Sequence, residues 1–143
     1  LFKQLTDKAE RGINVLVIRD KLCTGCRLCE QICSMEHHRE VNPHLARIKI
    51  ESKWPAEEKI IVCRQCKTQN CVKACPQKAL SFDGYVKLDE KACDGCGQCL
   101  EACPFGYNLR NKNTGKPVFC DTCSGNYSCV SWCPAKAIRK GGA

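Results

Sequence analysis

Residues Cys93–Pro104 read CDGCGQCLEACP, four cysteines at C-x2-C-x2-C-x3-C spacing with a proline behind the last. Two-residue gaps hold the first three thiols on one tight loop, where they converge. The fourth lies about one helical turn beyond the third and faces away from that convergence. Pro104 ends the short helix that carries it, because proline donates no N–H and restricts the residue before it. The unit recurs three more times. Cys23, Cys26, Cys29 and Cys33 keep the same spacing. Cys63, Cys66, Cys71 and Cys75 widen the second gap to four residues and precede Pro76. Cys120, Cys123, Cys129 and Cys133 widen it to five and precede Pro134. All sixteen cysteines of the 143-residue chain belong to these sets.

Three convergent thiolates plus an outlying fourth are the ligand run of 4Fe–4S clusters, in which the fourth cysteine serves the other cluster of a pair. Four sets therefore predict four 4Fe–4S clusters, with all sixteen cysteines as iron ligands. Structural zinc sites pair two C-x2-C knuckles across a longer gap, which this pattern does not do. A secreted disulfide framework needs no such repeat. The C-x3-C-x2-C loop of radical enzymes is absent at every register.

The length suits one domain. Aromatic residues make up only 6% of the chain, so the apolar core is expected to be thin and the clusters to stand in for it. Metal binding then becomes folding free energy. The formal charge of +8 suggests nucleic acid until the clusters are counted. Sixteen thiolates add −16 and four oxidised cores of formal charge +2 return half of that. The loaded protein is then neutral, or −4 when every cluster is reduced. Arg27, Arg64, Lys67, Lys73 and Lys136 are read as offsetting cluster charge, and no nucleic-acid partner is expected. No stretch approaches the roughly 20 apolar residues of a membrane span. The charged N-terminal LFKQLTDKAERG lacks the apolar segment of a signal peptide. A cytoplasmic location is expected, an export signal upstream of Leu1 being the alternative.

Between the sets, Asn14–Arg19 (NVLVIR) reads as a strand, and Leu28, Ile32 and Met35 fall at helical spacing. The 29 residues Ser34–Val62 contain an Asn42-Pro43 turn and two strands, from Ala46 and from Glu58, that can pair across SKWPAE. LSF, Asp83-Gly84 and YVKL predict a hairpin with a two-residue turn. A turn is also expected at Asn113–Lys116. The whole is an internal repeat of cysteine loop, short helix and hairpin. His37 and His38 are read as a solvated helix end. Trp132 is read as a shield over the neighbouring cluster, and Trp54 as either an interface anchor or a packing residue.

In this order the four sets resemble the four-cluster iron–sulfur subunits of molybdenum and tungsten oxidoreductases, such as those of dimethyl sulfoxide reductase, formate dehydrogenase and nitrate reductase. The resemblance covers about Val15 to Ile138. It rests on CTGCRLCEQIC (23–33), CRQCKTQNCVKACP (63–76), CDGCGQCLEACP (93–104) and the segment CSMEHHREVNPHLARIKIE (33–51). Ser34 departs from the proline expected after the first set, and the fourth set lacks the family's longer insertion. The family's larger inter-motif loops are missing too, and its C-terminal anchor is not expected. That compactness is more similar to the small subunits of tungsten aldehyde oxidoreductases and benzoyl-CoA reductases.

The resemblance implies an α+β fold of two interleaved ferredoxin-like modules related by a pseudo-twofold axis, with short helices, hairpins and much irregular loop. It implies a single domain over residues 1–143, with sets one and four in module A and sets two and three in module B, so that the chain termini meet. The family's pairing places Cys23, Cys26, Cys29 and Cys133 on cluster 1, and Cys33, Cys120, Cys123 and Cys129 on cluster 2. Likewise Cys75, Cys93, Cys96 and Cys99 hold cluster 3, and Cys63, Cys66, Cys71 and Cys103 hold cluster 4.

The chain has no nucleophile-and-base pattern, no G-x-G-x-x-G and no P-loop, so no catalytic residue is expected. The expected role is a non-catalytic subunit carrying single electrons between a large tungsten- or molybdenum-cofactor subunit and a second redox partner, a flavin subunit or a ferredoxin. A free polyferredoxin is the alternative, as is the electron-transfer subunit of a hydrogenase, a formate dehydrogenase or an electron-bifurcating complex.

Overall fold

The β-branched run that opens the first cysteine loop forms strand β1, Leu16–Ile18, every residue of it buried. Its partner is β6, Ile138–Lys140, paired antiparallel with Leu16 opposite Lys140 and Ile18 opposite Ile138. The two ends of the described chain therefore meet, as the resemblance implied. The structure, a computed structural model, describes residues 16–82 and 85–141. Asn14 and Val15 of the expected first strand lie outside them.

Helix α1, Leu28–His38, is the longest among the described residues. It outlasts α2 (Asn70–Ala74), α3 (Gln98–Glu101) and α4 (Ser128–Trp132) because Ser34 stands where the other sets have proline. After those prolines the chain turns at once, with Lys78, Gly106 and Lys136 at positive φ and their N–H groups donating to the carbonyls of Cys75, Cys103 and Cys133. Ser34 is fully buried. Its hydroxyl donates to the Gln31 carbonyl at 2.9 Å and accepts from the Asn42 N–H at 3.0 Å, tying the helix to the turn that follows.

Strands β2 (Ile48–Lys53) and β3 (Glu57–Val62) pair antiparallel, Lys53 opposite Glu57, across a three-residue turn at Trp54, Pro55 and Ala56. Strands β4 (Leu80–Phe82) and β5 (Val86–Leu88) form the expected hairpin. Strand β5 begins at Val86, so Tyr85 is not part of it; the turn expected at Asp83-Gly84 lies outside the described residues. The expected turn near Asn113 is present, closed by reciprocal bonds between Asn111 and the Gly115–Lys116 segment. Among the described residues no helix is long and apolar enough to cross a membrane.

The core is divided. One apolar cluster joins Leu16, Ile18, Ile48, Ile50, Ile60 and Ile138 with Cys29, Cys33, Cys120 and Cys129. The other joins Ile61, Leu80, Val86, Leu100, Tyr107 and Phe119 with Cys99. In the first, α1 packs on α4, and in the second, α2 on α3. Few large side chains are involved, and ligand cysteines sit inside both clusters.

Candidate metal centres

Each cysteine loop is built on the same two backbone reversals. The residue two after the first cysteine has positive φ in every set: Gly25, Gln65, Gly95 and Thr122. So does the residue two before the third cysteine: Arg27, Gln69, Gly97 and Tyr127, each at the N-terminus of its helix. Five of these eight are not glycine, and the left-handed region costs such residues on the order of 1–2 kcal/mol. Left-handed residues within a loop turn successive N–H groups inward to make an anion-binding concavity, the arrangement found at iron–sulfur sites. Burial raises the first thiols of sets one, two and four, and the N–H groups of Gly25, Gln65 and Thr122 partly offset that rise; the Thr122 N–H lies 3.4 Å from Cys120 Sγ. Set four has further positive φ at Cys123 and Ser124, which its five-residue gap accommodates.

The fourth cysteines also receive N–H donors. The Arg47 N–H lies 3.2 Å from Cys33 Sγ and the Ala79 N–H 3.3 Å from Cys75 Sγ. Burial nevertheless pushes the thiols up: Cys29 and Cys33 to about 12, Cys99 and Cys120 to about 11, and Cys63 and Cys129 higher still. Buried thiolates need a cation among them, and iron is what such a donor set suits. The buried Nε of Arg47 has no hydrogen-bond partner, and its guanidinium charge partly offsets the burial that raises the Cys33 and Cys120 thiols. The residues therefore fit 4Fe–4S clusters.

Besides burial, and besides Glu58 at Cys23 and Glu30 at Cys29, the thiols raise one another in groups. Cys23 feels Cys133 and Cys26, and Cys29 feels Cys23 and Cys26. Cys33 feels Cys120 and Cys123, while Cys129 feels Cys120, Cys33, Cys123 and then Cys29. Cys63 feels Cys120, Cys71 and Cys103. Cys99 feels Cys71, Cys75 and Cys93. Two cavities repeat the grouping. Cys23, Cys26, Cys29 and Cys133 line one, walled by Ile50, Ile60 and Ile138. Cys63, Cys66, Cys71 and Cys103 line the other together with Cys99, Tyr107 and Phe119.

Five polar side chains hold these loops together, and sequence reading passed over all of them except His37. Glu30 is 2% exposed and accepts from the Ile50 N–H at 2.6 Å and from Arg27 at 3.3 Å, fastening α1 to β2. Gln65 is fully buried, donates to the Cys120 carbonyl and accepts from the Val86 N–H at 2.8 Å. It thereby joins the second and fourth cysteine loops to strand β5. His37 is not the solvated helix end expected of it. Its Nδ1 lies 2.8 Å from the Cys33 carbonyl oxygen and its Nε2 2.7 Å from Asp121 Oδ1, while His38 is exposed. Burial alone would raise the Asp121 carboxyl, but hydrogen bonds from His37 and the Cys123 N–H, with the nearby charges, hold it below the usual range. Arg47 completes the group, 3.1 Å from the Phe119 carbonyl and 3.6 Å from Asp121.

Two aromatic expectations resolve differently. Trp132 is 57% exposed and does not shield the Cys133 cavity, a role that falls to the isoleucines. Trp54 is 94% exposed at the tip of the β2–β3 hairpin, which removes the packing alternative.

Signatures of the 4Fe–4S dicluster domain match residues 22–80, 62–107 and 85–134. Over 132 residues the chain is 39% identical to the polyferredoxin-like subunit of aliphatic sulfonate oxidoreductase from Pyrococcus furiosus, covering 90% of this chain and 76% of that one. It is 30% identical over 142 residues to the B subunit of the anaerobic dimethyl sulfoxide reductase of Escherichia coli, covering 83% and 68%. Its fold is similar to a component of the active-site complex BamBC of benzoyl coenzyme A reductase, with a TM-score of 0.51, 24% identity, and coverage of 89% and 78%. The chain belongs to the ferredoxin-type 4Fe–4S electron-transfer subunits of oxidoreductase complexes. It binds multiple 4Fe–4S clusters and is not catalytic alone.

Proposed function

We propose that the chain carries four 4Fe–4S clusters and passes single electrons through them between a large tungsten- or molybdenum-cofactor subunit and a second redox partner. Cluster 1 is held by Cys23, Cys26, Cys29 and Cys133, and cluster 2 by Cys33, Cys120, Cys123 and Cys129. Cluster 4 is held by Cys63, Cys66, Cys71 and Cys103, and cluster 3 by Cys75, Cys93, Cys96 and Cys99. The observation that carries this is the lining of the two cavities, with Cys23, Cys26, Cys29 and Cys133 in one and Cys63, Cys66, Cys71 and Cys103 in the other. Most of the thiols that raise each perturbed thiol also belong to its own group of four, although the foremost for Cys63 is Cys120 and for Cys99 is Cys71. The couplings that cross groups are Cys29 with Cys129, Cys120 with Cys63, and Cys71 with Cys99. They support a wire in the order 1, 2, 4, 3, with sets one and four forming one module and sets two and three the other within a single domain.

The compact loops favour an aldehyde-oxidoreductase-like tungsten partner, with a flavin subunit or a ferredoxin at the other end, in a cytoplasmic complex. The test is purification without oxygen. About sixteen iron and sixteen sulfide per chain are expected at four of each per cubane, together with a co-purifying subunit that contains tungsten. A count near twelve leaves one set vacant. A molybdenum or hydrogenase partner in place of a tungsten one, or no partner at all, replaces the tungsten assignment.

A further inference from the structure

An open groove of about 770 Å³ runs between β2 and β5, closed on a third side by the loop 108–118. No cysteine lines it, although it shares Arg27 with one cysteine cavity and Val86 and Phe119 with the other, and electron transfer within the chain makes no use of it. Buried Ala46, Ile48, Val86 and Phe119 contribute to its walls. Around these stand seven Arg and Lys side chains against four acidic ones. Three of those four are already engaged within the chain, Glu30 with the Ile50 N–H and Arg27, Asp121 with His37 and Arg47, and Glu51 with Lys49 of the rim at 3.8 Å. The cations that face water include Lys49, Lys87, Arg110 and Lys112.

A loaded protein that is near neutral overall thus gathers positive charge at one apolar-walled groove. We infer that this groove docks an acidic segment of the partner subunit, one in which carboxylates alternate with apolar side chains. The inference rests on the reading of the chain as a subunit. Charge complementarity selects the occupant. The chain's own first fifteen residues carry Lys3, Lys8 and Arg11 against Asp7 and Glu10 and are net positive, so they do not complement the rim. A second copy brings no net negative charge when its clusters are oxidised. A nucleotide is disfavoured because the exposed cations spread around the opening instead of converging, and no glycine-rich phosphate loop accompanies them. Phe119 and Arg47 of the groove wall adjoin Cys120 and Cys33, so the docked segment would lie against the backbone of the proposed cluster 2 ligands.

The native complex, purified without oxygen, is treated with a zero-length carbodiimide that joins lysines to touching carboxylates. Cross-links are expected from Lys49, Lys87, Lys112 or Lys116 to Asp and Glu of the partner. The Lys49→Glu/Lys112→Glu variant should bind the partner about tenfold more weakly with unchanged iron content. Partner cross-links confined to Lys73 and Lys136, links from the groove to Asp7 or Glu10 or to a second copy, or undiminished binding would each overturn the inference. A second arm needs no partner: the loaded chain is titrated with a synthetic peptide of alternating Glu and Leu, with ATP as the competing anion. Peptide binding that falls about tenfold in the same variant upholds the groove even where no partner subunit exists, in which case only the subunit reading fails. No peptide binding, or tighter binding of ATP, overturns it.

Discussion

Gln65 is the one fully buried amide that bonds the Cys120 carbonyl on one side and the Val86 N–H on the other. Gln65→Ala strands both groups away from water. Each buried unsatisfied group costs about 1–3 kcal/mol, so the pair costs about 2–6 kcal/mol before any cavity term. Gln69→Ala supplies the control. Gln69 occupies the same left-handed backbone region, at φ 51° against 52° for Gln65, but its side chain caps nothing. The backbone effect of the substitution therefore cancels between the two variants, and Gln69→Ala should stay within about 0.5 kcal/mol of the parent. Cluster loss on unfolding is irreversible, so the measurable stability is a rate. The assay is the decay of visible cluster absorbance at fixed temperature without oxygen. At about 1.4 kcal/mol per factor of ten, even the low end of the range is about thirtyfold if it falls wholly on the unfolding barrier. Bleaching of Gln65→Ala at least tenfold faster than Gln69→Ala is expected. Equal rates would refute the claim that this side chain holds the loops together.

Two further substitutions separate structure from electrostatics. Glu30→Ala leaves the Ile50 N–H without its carboxylate and should destabilise the loaded protein by about 1.5–3 kcal/mol in the same bleaching assay. Glu30→Gln keeps an acceptor while removing a negative charge that disfavours the Cys29 thiolate, so it should raise the potential of the cluster held by Cys29 by on the order of tens of millivolts. A fall in that potential would contradict the assignment. Arg47→Met keeps the backbone N–H to Cys33 but removes the guanidinium, and should lower the potential of the cluster held by Cys33 by a similar amount, read by redox titration of its paramagnetic signal. An unshifted signal would mean that the guanidinium charge is screened from it.

The cysteine sets, the strands and the short helices were legible because their signals are local: fixed spacing, β-branched runs, and proline directly behind three of the four sets. The rotation of α1 was not. Leu28, Ile32 and Met35 suggest an apolar face, yet Cys29, Glu30, Cys33 and Ser34 are the buried residues, since the ligand cysteines orient the helix. Ser34 itself, visible only as a departure from proline, explains the length of α1. The left-handed residues were hidden wherever Gln65, Gln69, Arg27, Thr122 and Tyr127 stand in place of glycine. A buried glutamine or glutamate looks in sequence like the exposed majority of its kind. Gln65, Glu30 and the His37–Asp121 pair were recognisable only once residues 20 to 84 positions apart had been brought into contact.

The pairing of distant cysteines is the central claim, and resolved spectra of single-cysteine variants test it most directly. Cys33→Ala should abolish or convert the cluster shared with Cys120, Cys123 and Cys129 and spare the one at Cys23, Cys26 and Cys29. Cys133→Ala, a hundred residues on, should do the reverse. If Cys33→Ala instead destroys the cluster of its own set and leaves the fourth set intact, each set holds its own cluster and the interleaved wire is wrong.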